Sequence, residues 1–457
     1  MVRLDQENRE IYTKQIIQTL VDQNMNDFRE LFFELHPTDQ IDLLNSVTKK
    51  QRTVIYKYVK PEEFAEIFQG LEVTKQKLYI SELQQNYAID VINHMPYDDI
   101  ADFFAQLPES TKELYLSKMA KEEAEEVIQL LKYNDQTAGA IMTTEYISVS
   151  SADTVANVMG RLRIEAPEAE TIYYLYVVDE QLKLVGVVSL RDLIVARLEQ
   201  KIDEIMLTRV KSVETHTDQE EVARIMRKYD FLAVPVTAQG KLVGIVTVDD
   251  IMDVVEEETE EDFGEISAVR GSIDTNISAF TAGKKRAPWI VVLMFLGLIT
   301  AGVIGEFEET LEAYILLAAF IPLIMDSAGN TGTQALAVVV RGLAVGSVDS
   351  SSIGKMLRRE FGTGVILGVI AAITLMIVVP FLYPEGGFLL AAIVGVSLFL
   401  TLCFSTMVGA TVPLIINKLK IDPAVASGPF ITTINDIMGL IIYFSLATAL
   451  LDYLPEM

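Results

Sequence analysis

Two polar strings interrupt otherwise apolar sequence near the carboxy-terminal end: PLIMDSAGNTGTQ at residues 322–334 and PFITTIND at residues 429–436. Around them, five stretches are long enough to cross a hydrocarbon core of ~30 Å, which takes about 20 helical residues. They run approximately over 288–305, 313–340, 361–383, 388–417 and 424–451. The charges between them alternate. Lys284, Lys285 and Arg286 precede the first stretch and Glu306, Glu308, Glu309 and Glu312 follow it; Arg341, Lys355, Arg358 and Arg359 follow the second, Glu385 the third, Lys418 and Lys420 the fourth, and Asp452 and Glu456 the last. All nine basic residues of this part thus fall on one side. The positive-inside rule makes that side cytoplasmic and puts the carboxy-terminus outside. Five spans make a lopsided bundle, so a central pathway is expected between two copies related by a two-fold axis.

The strings carry Asp326 and Asp436 deep into the second and fifth spans. A carboxylate at that depth is costly unless it meets water, a partner or an ion, so it marks a candidate functional site. Thr432, Thr433, Asn435 and Asp436 cluster within little more than one turn, and Pro429 is expected to free backbone carbonyls nearby. Carboxylate, amide and hydroxyl oxygens without nitrogen or sulfur suit a hard, strongly hydrated cation such as magnesium. The plainer alternative, strongest for Asn330 and Gln334, is that these groups only bond neighbouring helices while the glycines permit close packing.

The rest of the chain differs in kind. Of 457 residues, 37 are Lys or Arg and 64 are Asp or Glu, and the part before Lys284 holds 28 basic and 52 acidic residues. A body this acidic repels phosphate backbones, which argues against nucleic acid. The single cysteine, Cys403, lies in an apolar stretch, and MVRLDQENRE at the start has no apolar h-region, so the front part is expected in the cytosol.

Within the acidic body, LVGVVSLRDLI at 184–194 returns as LVGIVTVDDIM at 242–252. Each copy reads as a strand, an amphipathic helix, two strands around a glycine turn and a second helix. The pattern resembles the CBS domain, and the tandem resembles a Bateman module. That resemblance implies a nucleotide cleft, with Ser189 or Thr247 on phosphate and Asp192 or Asp250 on ribose. Arg191 adds phosphate charge in the first copy, whereas Asp249 stands in the second, so one working site is expected, formed by Ser189, Arg191 and Asp192. Residues 5–135 read as successive helices, with starts at HPTDQ, KPEEF and MPYDD. Proline at the first helical position and acids in the first turn suit a helix start. Asp98 and Asp102 share one helix face. After the second CBS-like copy, nine acids fall between Asp249 and Asp262. Such a run is ordinarily a solvated face, but this one leads toward the first span, where divalent ions between carboxylates would relieve repulsion. His36, His94 and His216 are scattered and read as surface or capping residues.

The order of these parts, with the two membrane strings as its most specific elements, resembles the MgtE family of magnesium transporters. The fold class expected is multidomain: an all-α superhelical amino-terminal domain (1–135), an α/β tandem CBS module (137–202 and 203–258), an acidic connecting helix (259–283) and an all-α five-helix transmembrane domain (284–457). The resemblance implies a homodimeric, magnesium-selective channel of the bacterial plasma membrane rather than an enzyme, with Mg2+ as substrate and regulator. It implies a pore along the second and fifth spans, with Asp436 as its ion-binding acid and Asn435, Thr432, Asn330 and Asp326 around it. It further implies cytosolic Mg2+ sites at Asp250, Asp253, Glu258, Glu261 and Asp262, faced by Asp98 and Asp102, that close the pore, and ATP in the CBS module. Three other readings compete with this one. A transporter exchanging Mg2+ for Na+ or H+ is the alternative, although no inverted repeat is visible among the spans. An intramembrane aspartyl protease lacks its GxGD string, and a nucleotide sensor without transport leaves Asp436 unexplained.

Overall fold

A computed structural model describes residues 9–267, 278–344, 352–384, 387–420, 422–423 and 428–450. Glu385, Asp452, Glu456 and positions 268–277 of the connecting segment lie outside the described residues. The chain divides into two compact units, Met1–Met252 and Asp253–Met457.

The first unit opens with ten helices among the described residues, from Arg9–Val21 to Lys121–Leu130. They are short and amphipathic, and their apolar faces build one core containing Phe28, Phe32, Phe64, Phe68, Phe103 and Phe104. The packing repeats. Gln40 Nε2 donates to the carbonyls of Phe32 and Leu35, and 36 residues on, Gln76 Nε2 donates to those of Phe68 and Gln69. Each buried amide satisfies carbonyls at the end of one helix from within the next, so the same tie recurs at each superhelical step. Arg52 and Glu82 form a buried pair, joined by the Tyr56 hydroxyl at 3.1 Å. Pro37 and Pro61 open their helices as expected, whereas at MPYDD the proline is the cap itself: Pro96 is extended and the helix is Tyr97–Ala105.

Two three-stranded sheets follow. In the first, β1 (Ser148–Ser150) pairs in parallel with β2 (Tyr174–Val178), and β2 pairs antiparallel with β3 (Leu184–Ser189). In the second, β4 (Val213–Glu214), β5 (Ala233–Ala238) and β6 (Lys241–Thr247) repeat that order. The glycine turn expected inside LVGVV and LVGIV is corrected here. Gly186 lies within β3 opposite Val177, and Gly244 within β6 opposite Val236, each beside a register shift. The reversals come earlier, at Leu182 and at Gln239–Gly240, which carry the positive φ angles. The glycines are needed for space, because a Cβ at Gly186 would lie 2.6 Å from Met206 Sδ and one at Gly244 would lie 2.7 Å from Met142 Sδ. Each methionine enters from the segment preceding the other copy. Thr143 bridges Ile245 while Leu207 bridges Val187, so the copies are laced together reciprocally.

Among its described residues the second unit has five helices long and apolar enough to cross a membrane: Ala279–Glu306, Ile315–Ala344 (a 3-10 segment, then the helix Ile321–Ala344), Ile353–Leu382, Gly387–Lys418 and Gly428–Ala449. The first and third expose most of their apolar residues, whereas the fourth is the most enclosed. Before them, the acidic segment forms a helix beginning directly after β6, Val248–Ile266. Pro429 falls in the first turn of its helix, where it breaks no intrahelical hydrogen bond, and its carbonyl accepts from Thr433 Oγ1 at 2.9 Å. The expectation that it frees carbonyls near Asp436 is therefore corrected.

Candidate functional site

In the membrane unit, the second and fifth spans meet through glycine. A Cβ at Gly329 would lie 2.5 Å from Thr432 Cγ2 and 3.5 Å from Asp436 Oδ1, and one at Gly332 would run into Asn435 Nδ2. On the fourth span, a Cβ at Gly409 would run into the Gly332 carbonyl. Three helices thus converge where hydrogen is the largest side chain that fits, and the polar groups of the fifth span are pressed against the second. Asn435 is wholly buried. Neither polar atom of its amide, nor Asp436 Oδ1, has a hydrogen-bond partner among the described residues. Asp326 and Asn330 occupy the exposed face of the second span, where Asn330 Nδ2 donates to Asp326 Oδ1 at 3.0 Å. The Asp326 and Asp436 carboxylates act on each other through space. The five residues expected to line a pore are therefore carried on two packed helices.

The fourth span adds groups the sequence reading passed over. Ser397, Thr401 and Ser405 are fully buried, and their hydroxyls have no partner among the described residues. Their four-residue spacing, which puts them on one helix face, was the available signal. Thr401 reaches the close-packed region, with its Cγ2 3.0 Å from where a Gly439 Cβ would stand.

In the first unit a second group of acids gathers around helix Tyr97–Ala105. Asp98 and Asp99 occupy its first turn, and Asp98 Oδ1 is buried without a hydrogen-bond partner among the described residues. Burial, and then Asp99 beside it, pushes the Asp98 carboxyl well above its ordinary range. Asp99 is pushed up to about 7, chiefly by burial and then by Asp250, Asp102, Glu170 and Glu145. Glu170 is raised by burial and by Asp250 and Asp249. Glu145 Oε2 accepts from the Tyr97 amide at 3.3 Å. Asp98, Asp102 and Asp250 were expected here, whereas Asp99, Glu145 and Glu170 were not. One signal was available. Asp99 stands 36 residues after Glu63, at the same step of the superhelix, and Glu63 is neutralised by Arg29, whose Nη1 donates to it at 2.9 Å. At Asp99 the company is anionic instead.

Asp253, Glu258, Glu261 and Asp262 all lie on helix Val248–Ile266. Asp262 is pushed up to about 6, first by burial and then by Asp422, in the segment after the fourth span, with Glu258 and Glu261 adding and Arg341 opposing. Glu257 is raised by burial and by its acidic neighbours, Asp253 foremost. At the end of this helix, Ile266 packs with Leu336, Val340 and Ile431 at the ends of the second and fifth spans. Among the described residues, no three or more His, Cys, Asp or Glu side chains stand in a geometry ready to hold a metal ion.

In the first CBS copy, Ser189 and Asp192 form a capping box: Ser189 Oγ donates to Asp192 Oδ2 at 2.6 Å and accepts from the Asp192 amide at 3.1 Å. Thr247 and Asp250 repeat the side-chain bond in the second copy. These pairs are thus helix caps as well as expected nucleotide contacts. Arg191 is exposed and makes no ion pair among the described residues.

Family models match along most of the chain: "MgtE intracellular N domain" over residues 35–136, CBS domain over 138–199 and 202–257, and MgtE, described as a divalent cation transporter, over 321–446. The magnesium transporter MgtE of Enterococcus faecalis is 43% identical over 441 residues, covering 96% of this chain and 97% of that protein. That of Bacillus subtilis is 45% identical over 319 residues, or 70% of each chain. Among solved structures, the soluble part of a magnesium transporter is 46% identical with a TM-score of 0.53, covering 55% of this chain and 99% of the other. The cytosolic domain of a Mg2+ channel MgtE in complex with ATP is 38% identical with a TM-score of 0.51, covering 53% and 99%.

Proposed function

The chain belongs to the MgtE family of divalent cation transporters, and from that premise we propose that it is a magnesium-selective channel of the plasma membrane that works as a homodimer. The observation carrying this reading is the buried oxygen set of the fifth span. A buried amide and carboxylate without protein partners cost several kcal/mol unless something else bonds to them. A hydrated Mg2+ is suited to do so at the half-buried Asp436 and Thr432, its waters donating to them while the carboxylate offsets its charge, with the enclosed Asn435 amide packed behind. Two Asp436 side chains facing across a two-fold axis would share one ion. Asp326 and Asn330 form an approach on the exposed face of the second span.

Regulation rests on the acids of the cytosolic parts. Asp98, Asp102 and Asp250, joined by Asp99, Glu145 and Glu170, repel one another until a divalent ion bridges them. Asp253, Glu258, Glu261 and Asp262 do the same on the connecting helix, whose end at Ile266 packs on the proposed pore helices. Plentiful cytosolic Mg2+ then favours the assembly in which acidic faces close and the pore is shut. ATP occupies the first CBS copy, with phosphate on Arg191 and with Ser189 and Asp192 turned from capping to ligand contacts. The basic ends of the spans, and with them the amino-terminus, face the cytoplasm, and the carboxy-terminus faces outward.

Flux of Mg2+ into liposomes holding the purified protein tests the reading. Wild-type flux is expected to fall as magnesium on the cytosolic face rises, and Asp436→Asn, which keeps size and removes charge, is expected to lose at least about tenfold while remaining a folded dimer. Undiminished flux in that variant would overturn the assignment. Flux that requires a Na+ or H+ gradient would replace the channel by an exchanger.

A further inference from the structure

A different polar site lies where the third span changes from charged to apolar. Arg358, Arg359 and Glu360 are followed directly by Phe361, from which the helix runs apolar. Phe361 is 50% exposed, yet Glu360 is only 5% exposed. It turns into a cavity of about 360 Å³ between the second, third and fourth spans. Arg359 folds back upon it, with Nε and Nη2 donating to Glu360 Oε1 at 3.1 and 2.8 Å. Glu360 Oε2 takes no hydrogen bond among the described residues, and the Arg359 side chain remains 60% exposed at the mouth. Inside, Thr331, Gln334, Thr363 and Thr406 line the cavity. The hydroxyls of Thr363 and Thr406 already donate to the carbonyls of Arg359 and Cys403, so toward the cavity they offer lone pairs. Val338 and Leu367 supply an apolar wall.

The charge is therefore layered, with a carboxylate and acceptor oxygens within and a guanidinium outside. A buried acid half-matched by an exposed arginine favours a compact cation bearing several N–H donors, and the arginine favours a phosphate beside it. The third span is largely exposed along its apolar length, with Ile366, Ile370, Ile373 and Ile377 each more than half exposed, so the cavity opens on a lipid-facing helix. Glu360 stands at the boundary of the apolar segment, the depth of lipid headgroups. We propose that this cavity binds a phospholipid whose headgroup carries a primary ammonium beside its phosphate, with the ammonium on Glu360 and the phosphate on Arg359. The acyl chain beneath follows Val338 and Leu367.

Native mass spectrometry of the full-length protein, equilibrated with equal amounts of phosphatidylethanolamine, phosphatidylcholine and phosphatidylglycerol of identical chains, tests it. The wild type is expected to retain the ethanolamine lipid about fivefold over each of the others, because the choline headgroup has no N–H to donate and the glycerol headgroup has no cation. Glu360→Gln is expected to bring the ratio near one. Equal retention by the wild type, or preference for the anionic lipid, overturns the proposal without reference to any variant. So does an unchanged ethanolamine preference in a folded Glu360→Gln protein.

Discussion

The acids of the two units differ in their company. In the membrane unit Asp436 stands where Gly329 and Thr432 pack, and among the described residues the other carboxylate acting on it is Asp326 on the facing helix. In the soluble unit Asp99 meets Asp250, Asp102, Glu170 and Glu145 together. On the proposed function, the contrast is the one expected between a site that must release its ion and a site that must respond to it. A few carboxylates among neutral oxygens hold a hydrated ion weakly enough to let it leave. Crowded carboxylates repel one another, so a divalent ion that bridges them relieves more strain and changes their arrangement more.

The sharpest way to break this contrast is to remove the response while leaving conduction. Millimolar magnesium is expected to protect the wild type from protease, and neutralising Glu258, Glu261 and Asp262 together is expected to abolish that protection, whatever flux remains. The same protection in the triple variant would place the sensor elsewhere.

Asp99→Asn should have a smaller, opposite effect on the ion-free protein. Removing a buried charge from anionic company is expected to raise its stability by about 2 kcal/mol, allowing for solvent screening, and to shrink the further stabilisation by magnesium. Thermal unfolding with and without the ion measures both. The pH dependence follows from the same residue. Asp99 holds its proton up to about 7 in the fold, whereas an unfolded aspartate releases it near ~4. Between those values the native state binds more protons, so the ion-free protein loses stability as pH rises through that window. An ion that binds there must displace the proton. Calorimetry in buffers of different ionisation heat is expected to show proton release on magnesium binding at pH 6 and little above pH 8.

The smallest effect expected is in the CBS module. Arg191→Ala should weaken ATP binding by roughly tenfold, the loss of one charge-assisted phosphate contact. Binding without such loss would move the phosphate from Arg191.

The five spans and the tandem repeat were legible because each is a local pattern, a hydropathy run in one case and a recurring string in the other. Asp436 was legible because a carboxylate stands out in apolar sequence. Asp99, Glu145 and Glu170 were not, since Glu145 and Glu170 lie outside the regular elements and reach Asp99 only through tertiary packing. Glu360 was hidden in the opposite way, inside a string of basic residues that reads as an exposed helix start. Gly186 misled for a third reason. Between apolar residues it suggests a turn, but the atom that requires it, Met206 Sδ, comes from a segment 20 positions on.

That exchange of methionines has a mechanical meaning. To part the two CBS copies, a pull must break the four isolated β-bridges between them and withdraw two thioethers, since each copy holds a piece of the other. The pair is therefore expected to move as one piece and to pass a displacement on to helix Val248–Ile266, which begins directly after β6.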